Sequence, residues 1–298
     1  MTAELWGAAA REKADTDEWR WRYWQSHPVT GGHIFRAISR DPHEDWLTFT
    51  KRRFFRRPVE HGLSLGSGHG LVERKAIELG VARRMDAYDV SAPAIEVATR
   101  LARDARLADR ITYTAADLNS VMLEREKYGV VFAAQALHHI ERLEHLLAEI
   151  ERSLTPDGLF VVNEYVGPAR FQWSDKTNAL MSAIFEALPP SARVDPRTGT
   201  TRTHVPRPSA ADVAREDPTE SIRSDEILPL LAERFDEVYR ADFGGTLLQF
   251  ALADVIANFD PEDERDVAVL DLLSLFERTL IEEGVLQSDF VFLVLRRL

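Results

Sequence analysis

Three glycines at alternate positions, Gly66, Gly68 and Gly70 in "LSLGSGHGLVER", follow a short apolar run. Without β-carbons the main chain reaches positive φ and brings its amides close to a ligand, which suits a turn between a strand and a helix to a nucleotide-like group. Acids and imidazoles recur at comparable places downstream. Asp89 ends a second apolar run, "RMDAYDV", nineteen residues beyond Gly70. That is close to the ~20 expected of a carboxylate accepting both hydroxyls of a ribose. Capping the helix that starts "APAIEV" is its alternative duty, for which Ser91 is also placed. Asp117, after the third run "RITYTAAD", either accepts from an adenine amine while the amide of Leu118 meets a ring nitrogen, or caps a helix. Gln135, His138 and His139 follow the fourth run in "VVFAAQALHHIERLEHLL", and Glu164 and Tyr165 end a fifth, "GLFVVNEY".

An imidazole with an ordinary pKa near 6.5 suits proton transfer at neutral pH, so His138 and His139, with Glu164, are the candidate catalytic groups. A structural role for either histidine stays open. Arg170 and Trp173, just past Gly167-Pro168, combine a guanidinium with an aromatic face and suit an anionic or sugar-like acceptor together with Tyr165. Turn and core chemistry is the competing reading of all three. The glycine spacing argues against a dinucleotide, which prefers G-x-G-x-x-G, because here Leu71 and Val72 follow the third glycine. Zero cysteines close thiol chemistry and Cys-ligated metals. The histidine doublet has no companions at ligand spacing, so no metal requirement is expected.

These residues need a scaffold. From Gly62 to Glu164 five short apolar runs alternate with helical periods such as "LVERKAIELG" and "APAIEVATRLARDA", a βαβα series that predicts a parallel sheet with right-handed crossovers. "RFDEVYRADF" and "DFVFLVLRRL" predict two late strands that close a doubly wound, mostly parallel, seven-stranded α/β sheet of Rossmann-like type. Residues 1–58 read as a helical segment with Tyr23, Trp24 and His27 as possible lid residues, and residues 59–298 as one domain. Cap insertions are expected at about 168–221 and 244–285, where the strand and helix alternation lapses. "TLLQFALADVIANF" within the second reads as a single helix.

The chain has 298 residues and a formal net charge of −12, which disfavours a nucleic-acid partner; "KRRFFRR" reads as a solvated helix face. Its longest apolar stretches fall short of the ~20 residues that cross a bilayer, and the charged N-terminus does not resemble a secretory signal. No membrane partner and a cytoplasmic location are the expectations. Oligomeric state is not legible.

Taken in order, "LSLGSGHG", "AYDVS", "AADLN", "VVFAAQALHHI" and "LTPDGLFVVNEY" resemble the class I S-adenosylmethionine-dependent methyltransferases over roughly Gly62 to Gly167. The resemblance implies that Gly66, Ser67, Gly68 and Gly70 face the methionine part of that cofactor and that Asp89 and Val90 meet the ribose. It further implies Asp117 and Leu118 at the adenine and Gln135 at the sulfonium side. Many members carry an acid two residues before the first glycine; this chain has Ser64 there. The implied activity is methyl transfer to a small-molecule or saccharide acceptor, with a hydroxyl the favoured nucleophile. A non-catalytic protein that senses or stores the cofactor is the alternative.

Overall fold

A computed structural model describes residues 23–298, so the part of the expected lid at residues 1–22 lies outside the described residues. Two helices open the described chain. His27 caps α1 (Pro28–Ser39) through Nδ1, which accepts from the Val29 amide, and Asp45 caps α2 (Trp46–Phe54) by accepting from the amides of Leu47 and Thr48. Their aromatic faces turn inward: Trp24 packs edge-on to Phe290, and Trp46 and Phe49 pack against Phe292. Residues 23–58 therefore pack against one face of the sheet, with Trp24 at the Phe290 end of β7, which pairs with the Tyr165 end of β5. Burying Trp24, 2% exposed, and its neighbours on the strands favours that placement.

The described residues form one seven-stranded sheet, ordered β3-β2-β1-β4-β5-β7-β6. Its strands are β1 (Val59–Leu65), β2 (Ala82–Asp89), β3 (Ile111–Ala115), β4 (Tyr128–Ala134), β5 (Leu154–Tyr165), β6 (Phe235–Gly244) and β7 (Phe290–Arg297). β1 to β5 run parallel, and β7 runs antiparallel between β5 and β6. Helices cover both faces, which is why β4 and β7 are near-continuous apolar runs without alternation. One face buries Leu63, Leu65, Val131 and Leu293, the other Val130, Phe132, Phe292 and Val294. Strand order reverses between β1 and β4, so their carboxyl ends open a crevice at one edge.

Three helices link the parallel strands: α3 (Leu71–Glu78), α4 (Ala92–Asp104) and α5 (Leu143–Ser153). Ser91 caps α4 by accepting from the Ala94 amide, the duty held open for Asp89. The first insertion carries α6 (Asp175–Ala187) and α7 (Ala210–Glu216), after which α8 (Ile227–Ala232) leads into β6. Between β6 and β7 lie α9 (Leu248–Ala251) and α10 (Glu264–Glu282). The single helix expected there breaks after Ala251, with Asp254 left-handed at φ 61° and a short 3-10 turn at Ile256–Asn258. Glu277 of α10 explains the start of α9, because its buried carboxylate accepts from the amides of Gly245, Leu247 and Leu248. Facing apolar residues of α6 and α10, among them Leu180, Ile184, Val269 and Phe276, line a groove on the cap that shares no residue with the strand ends. No described helix is long and apolar enough to cross a membrane.

Candidate active site

The glycine turn joins β1 to α3, and all three of its glycines are left-handed, at φ 69°, 52° and 75°. They serve different ends. A β-carbon on Gly66 would lie 2.6 Å from the Ala136 Cβ, and one on Gly70 would strike the Tyr113 hydroxyl and lie 2.9 Å from the Ala98 Cβ. Those two positions let chain pack on chain. Only at Gly68 does the missing side chain face open space. The amides of Gly66 and Ser67 are already donated to the Tyr88 carbonyl, at 2.8 and 3.1 Å, so the turn is pinned to the end of β2 before any ligand arrives.

Asp89 locks the same turn from the other side. Its Oδ2 accepts from the Gly68 amide and its Oδ1 from the Ser91 amide, both at 2.8 Å. Burial pushes its pKa up against those two bonds. One lone pair on each oxygen remains for a diol, and Val90 beside it is 48% exposed, an unusual state for valine next to a crevice. Asp117 is exposed and organises a tight turn, its Oδ1 accepting from the amide and the side-chain amide of Asn119 at 2.9 Å each; it caps no helix. Leu118 is buried beneath it. Gln135, at the end of β4, sits at φ 54°, a conformation that costs a non-glycine residue about 1 kcal/mol and clusters at functional sites.

Beneath the turn lies a group that the sequence did not single out. Glu73, in the first turn of α3, is 0% exposed, and neither carboxylate oxygen has a hydrogen-bond partner. The hydroxyls of Ser67 and Tyr113 are likewise buried without partners. Burial raises the Glu73 pKa to about 7, with Ser64 its nearest polar relief. Ser64 is the position where an acid had been missed, and the carboxylate has in effect moved nine residues along the chain. Its signal in the sequence was a glutamate on the inward face of a short amphipathic helix.

The expected catalytic groups are brought together, though two of them in other roles. Glu164 is 0% exposed and fully occupied: Oε2 accepts from the amides of Ala136 and Leu137, and Oε1 from the Tyr165 amide and His138 Nδ1. It is a structural bracket between β4 and β5 and has no capacity left to act as a base. His138 is buried with its other nitrogen 3.6 Å from Glu220 Oε1. Burial opposes its charge, but Glu164 and then Glu220 prevail and lift its pKa to about 9. Protonated at neutral pH, it cannot take a proton. His139 lies tilted against it, with 4.0 Å between ring centroids, and reaches Thr219 Oγ1 at 3.4 Å and Asp217 Oδ2 at 3.9 Å. Asp217 and Glu220, missed in the sequence because they lie some eighty residues away in the cap, complete the cluster.

The candidate acceptor residues are used differently from expectation. Arg170 spans the turn that carries those acids, donating to the carbonyls of Asp217 at 3.2 Å, Pro218 at 2.6 Å and Glu220 at 2.9 Å. It positions the turn, with Nη1 and Nη2 committed to main-chain carbonyls. Tyr165 is 3% exposed, with its hydroxyl donated to the Pro168 carbonyl, and Trp173 is 2% exposed, with Nε1 donated to Asn178 Oδ1. Both are core. His27 is 1% exposed, donates from Nε2 to the Phe259 carbonyl at 3.0 Å, and has its pKa lowered by burial. It is a neutral helix cap tied to the second insertion. Tyr23 is half-buried at the start of the described chain, where its carbonyl accepts from Ser26.

Residues 63–162 match the family model described as a methyltransferase domain. The sterol 24-C-methyltransferase of Debaryomyces hansenii is 35% identical over 72 residues, 24% of this chain and 19% of that one. The sterol 4-C-methyltransferase strm-1 of Caenorhabditis elegans is 26% identical over 106 residues, 36% of this chain and 31% of that one. The chain thus spans less than a third of the length of either relative. A structure of geranyl diphosphate methyltransferase in complex with S-adenosylmethionine superposes with a TM-score of 0.55 at 14% identity, over 90% of this chain and 91% of that one, and so shares its fold. Residues 63–162 are thus similar to a methyltransferase domain, on a fold shared with a structure that holds S-adenosylmethionine.

Proposed function

We propose that the chain transfers a methyl group from S-adenosylmethionine to a small-molecule oxygen acceptor held between the ends of β4 and β5 and the turn at residues 217–221. The observation that carries this is the convergence on one sheet edge of an open left-handed glycine, a carboxylate hydrogen-bonded to its amide, and a strained glutamine. The residues fit the cofactor: Gly68 leaves room for its amino-acid portion, Asp89 has acceptor capacity for a diol, and Glu73 offers a buried negative charge to a cationic group. Bound there, S-adenosylmethionine supplies an electrophilic methyl on a sulfonium.

What the protein adds is alignment. Holding nucleophile and methyl carbon at ~3 Å in line removes most of the entropic part of the barrier. Gln135 is fixed for this by its own amide, which donates to the Asn163 carbonyl at 2.8 Å, and by its side chain on the same carbonyl. Neither Glu164 nor His138 is free to take a proton, so acid–base assistance falls to His139 and the cap acids. A small oxygen nucleophile is favoured over a saccharide because Tyr165, Trp173 and Arg170, the expected sugar contacts, are committed elsewhere.

Calorimetry with S-adenosylmethionine and S-adenosylhomocysteine tests the cofactor reading. One site per chain and at least a tenfold loss in Asp89→Ala are expected; equal affinity in that variant refutes the ribose assignment. Mass spectrometry of small-molecule acceptor mixtures after incubation with methyl-labelled cofactor tests transfer. Binding without any labelled product would favour the cofactor-sensing alternative.

A further inference from the structure

Outside the cofactor crevice, two histidines and two acids from distant parts of the chain meet at one point. His138 and His139 come from the end of β4 and Asp217 and Glu220 from the cap, and the Ile222 amide donated to the His138 carbonyl at 3.0 Å ties the two together. The geometry points to a binding site for one divalent transition-metal cation, of the zinc, cobalt or manganese kind, ligated by His138, His139, Glu220 and Asp217.

Four observations carry the assignment. One ligand atom from each of His138, His139 and Glu220 lies within 4.8 Å of the other two. The separations of 3.6 Å from His138 Nε2 to Glu220 and 3.9 Å from His139 Nδ1 to Asp217 are too long for hydrogen bonds, which end near 3.2 Å. Both are close to the ~3.3 Å edges of a tetrahedron with ~2.0 Å metal bonds, so these two ligand pairs need only a modest contraction. Asp217 Oδ2 is buried and accepts no hydrogen bond, while its Oδ1 is used by the amide and hydroxyl of Thr219. Finally, His138 presents Nε2 to the site while Nδ1 is held by Glu164, the carboxylate–histidine arrangement that orients metal-ligating imidazoles, and a cation bound there displaces the Nε2 proton.

The donor set selects the metal class. Two imidazoles with two carboxylates suit borderline cations, whereas magnesium and calcium prefer all-oxygen shells. The cap turn is built for rigidity at this point: Arg170 holds three of its carbonyls, and Arg170 and Ser221 both adopt left-handed backbones, at φ 53° and 47°. Such strain in adjoining residues is typical of a ligand clamp. A cation here would replace acid–base work by His139 and the cap acids: it could hold an acceptor oxygen and lower the pKa of a hydroxyl so that its proton leaves to water. That role rests on the methyl-transfer reading, whereas the site itself does not.

The test uses tag-free, chelator-treated full-length protein titrated with Co²⁺ and Zn²⁺. One equivalent per chain is expected, with visible cobalt absorption displaced by zinc. The affinity should fall at least tenfold in His139→Ala and in the isosteric Glu220→Gln and Asp217→Asn, and stay unchanged in His204→Ala on the surface. Thermal melting and circular dichroism confirm that each variant is folded. Absence of stoichiometric binding, or binding that survives both isosteric variants, overturns the site. S-adenosylhomocysteine affinity, measured on the same samples, reports separately on the cofactor crevice.

Discussion

Glu73→Gln should make the free protein more stable and the cofactor complex weaker. The Glu73 carboxyl is 0% exposed and unpartnered, and its pKa stands at about 7 against an ordinary 4.5. Between those values the folded chain holds a proton that the unfolded chain has released, so stability falls as pH rises through the window. The difference, 7 minus 4.5, is 2.5 units, which at 1.36 kcal/mol per unit sets an upper figure of about 3 kcal/mol lost by pH 8. Glutamine keeps the shape and removes the charge, so the variant should be nearly neutral at pH 4.5 and gain up to about 3 kcal/mol over wild type at pH 8. Urea unfolding of both proteins at the two pH values, without ligand, measures this as a difference of differences. With S-adenosylmethionine present the order should reverse at pH 8, because the ligand's positive charge offsets the buried carboxylate only in the wild type. Parallel pH profiles for the two proteins would refute the reasoning and show that Glu73 is partnered in solution.

The glycines should separate by role: Gly68→Ala should leave the melting temperature within a few degrees but weaken cofactor binding at least tenfold, whereas Gly66→Ala, with Ala136 at 2.6 Å, should chiefly destabilise the fold, as paired calorimetry and melting would show. In metal-free protein the charged His138 contributes stability that is fully present below pH 6.5 and lost as pH rises through about 9, so unfolding between pH 8 and 10 should show a decline that is smaller in His138→Asn. Arg170→Lys should leave cofactor affinity unchanged but loosen the cap, because one ammonium cannot serve three carbonyls in fixed geometry; limited proteolysis should then cut between residues 194 and 216 faster than in wild type.

The parallel half of the fold was legible because each of its strands is an apolar run bounded by a turn and followed by an amphipathic helix. That Asp89, Asp117 and Gln135 lie at one edge was legible for the same reason: they end or follow strands, and strand ends in such a sheet share an edge. The cap was less legible. "TLLQFALADVIANF" has helical composition throughout, yet Asp254 breaks it, and the force that sets α9 comes from Glu277, some thirty residues on. Glu164 was expected to be reactive because carboxylates at strand ends often are. What a sequence does not reveal is that neighbouring amides and His138 already fill all its lone pairs. The histidine doublet looked isolated because its companions, Asp217 and Glu220, are neighbours in space alone.

The clasp formed by Arg170 has a consequence for how such a chain can vary. The stretch from Ser174 to Glu216 leaves the body beside that arginine and returns beside it, both ends secured by one side chain bonded to main-chain oxygens. Carbonyl oxygens are the same whatever residue bears them. Its exposed positions, such as residues 196–201, are therefore freer to change than the buried Met181, Phe185 and Val205, and a library confined to those exposed positions is the place to look for altered substrate preference on an unaltered chassis.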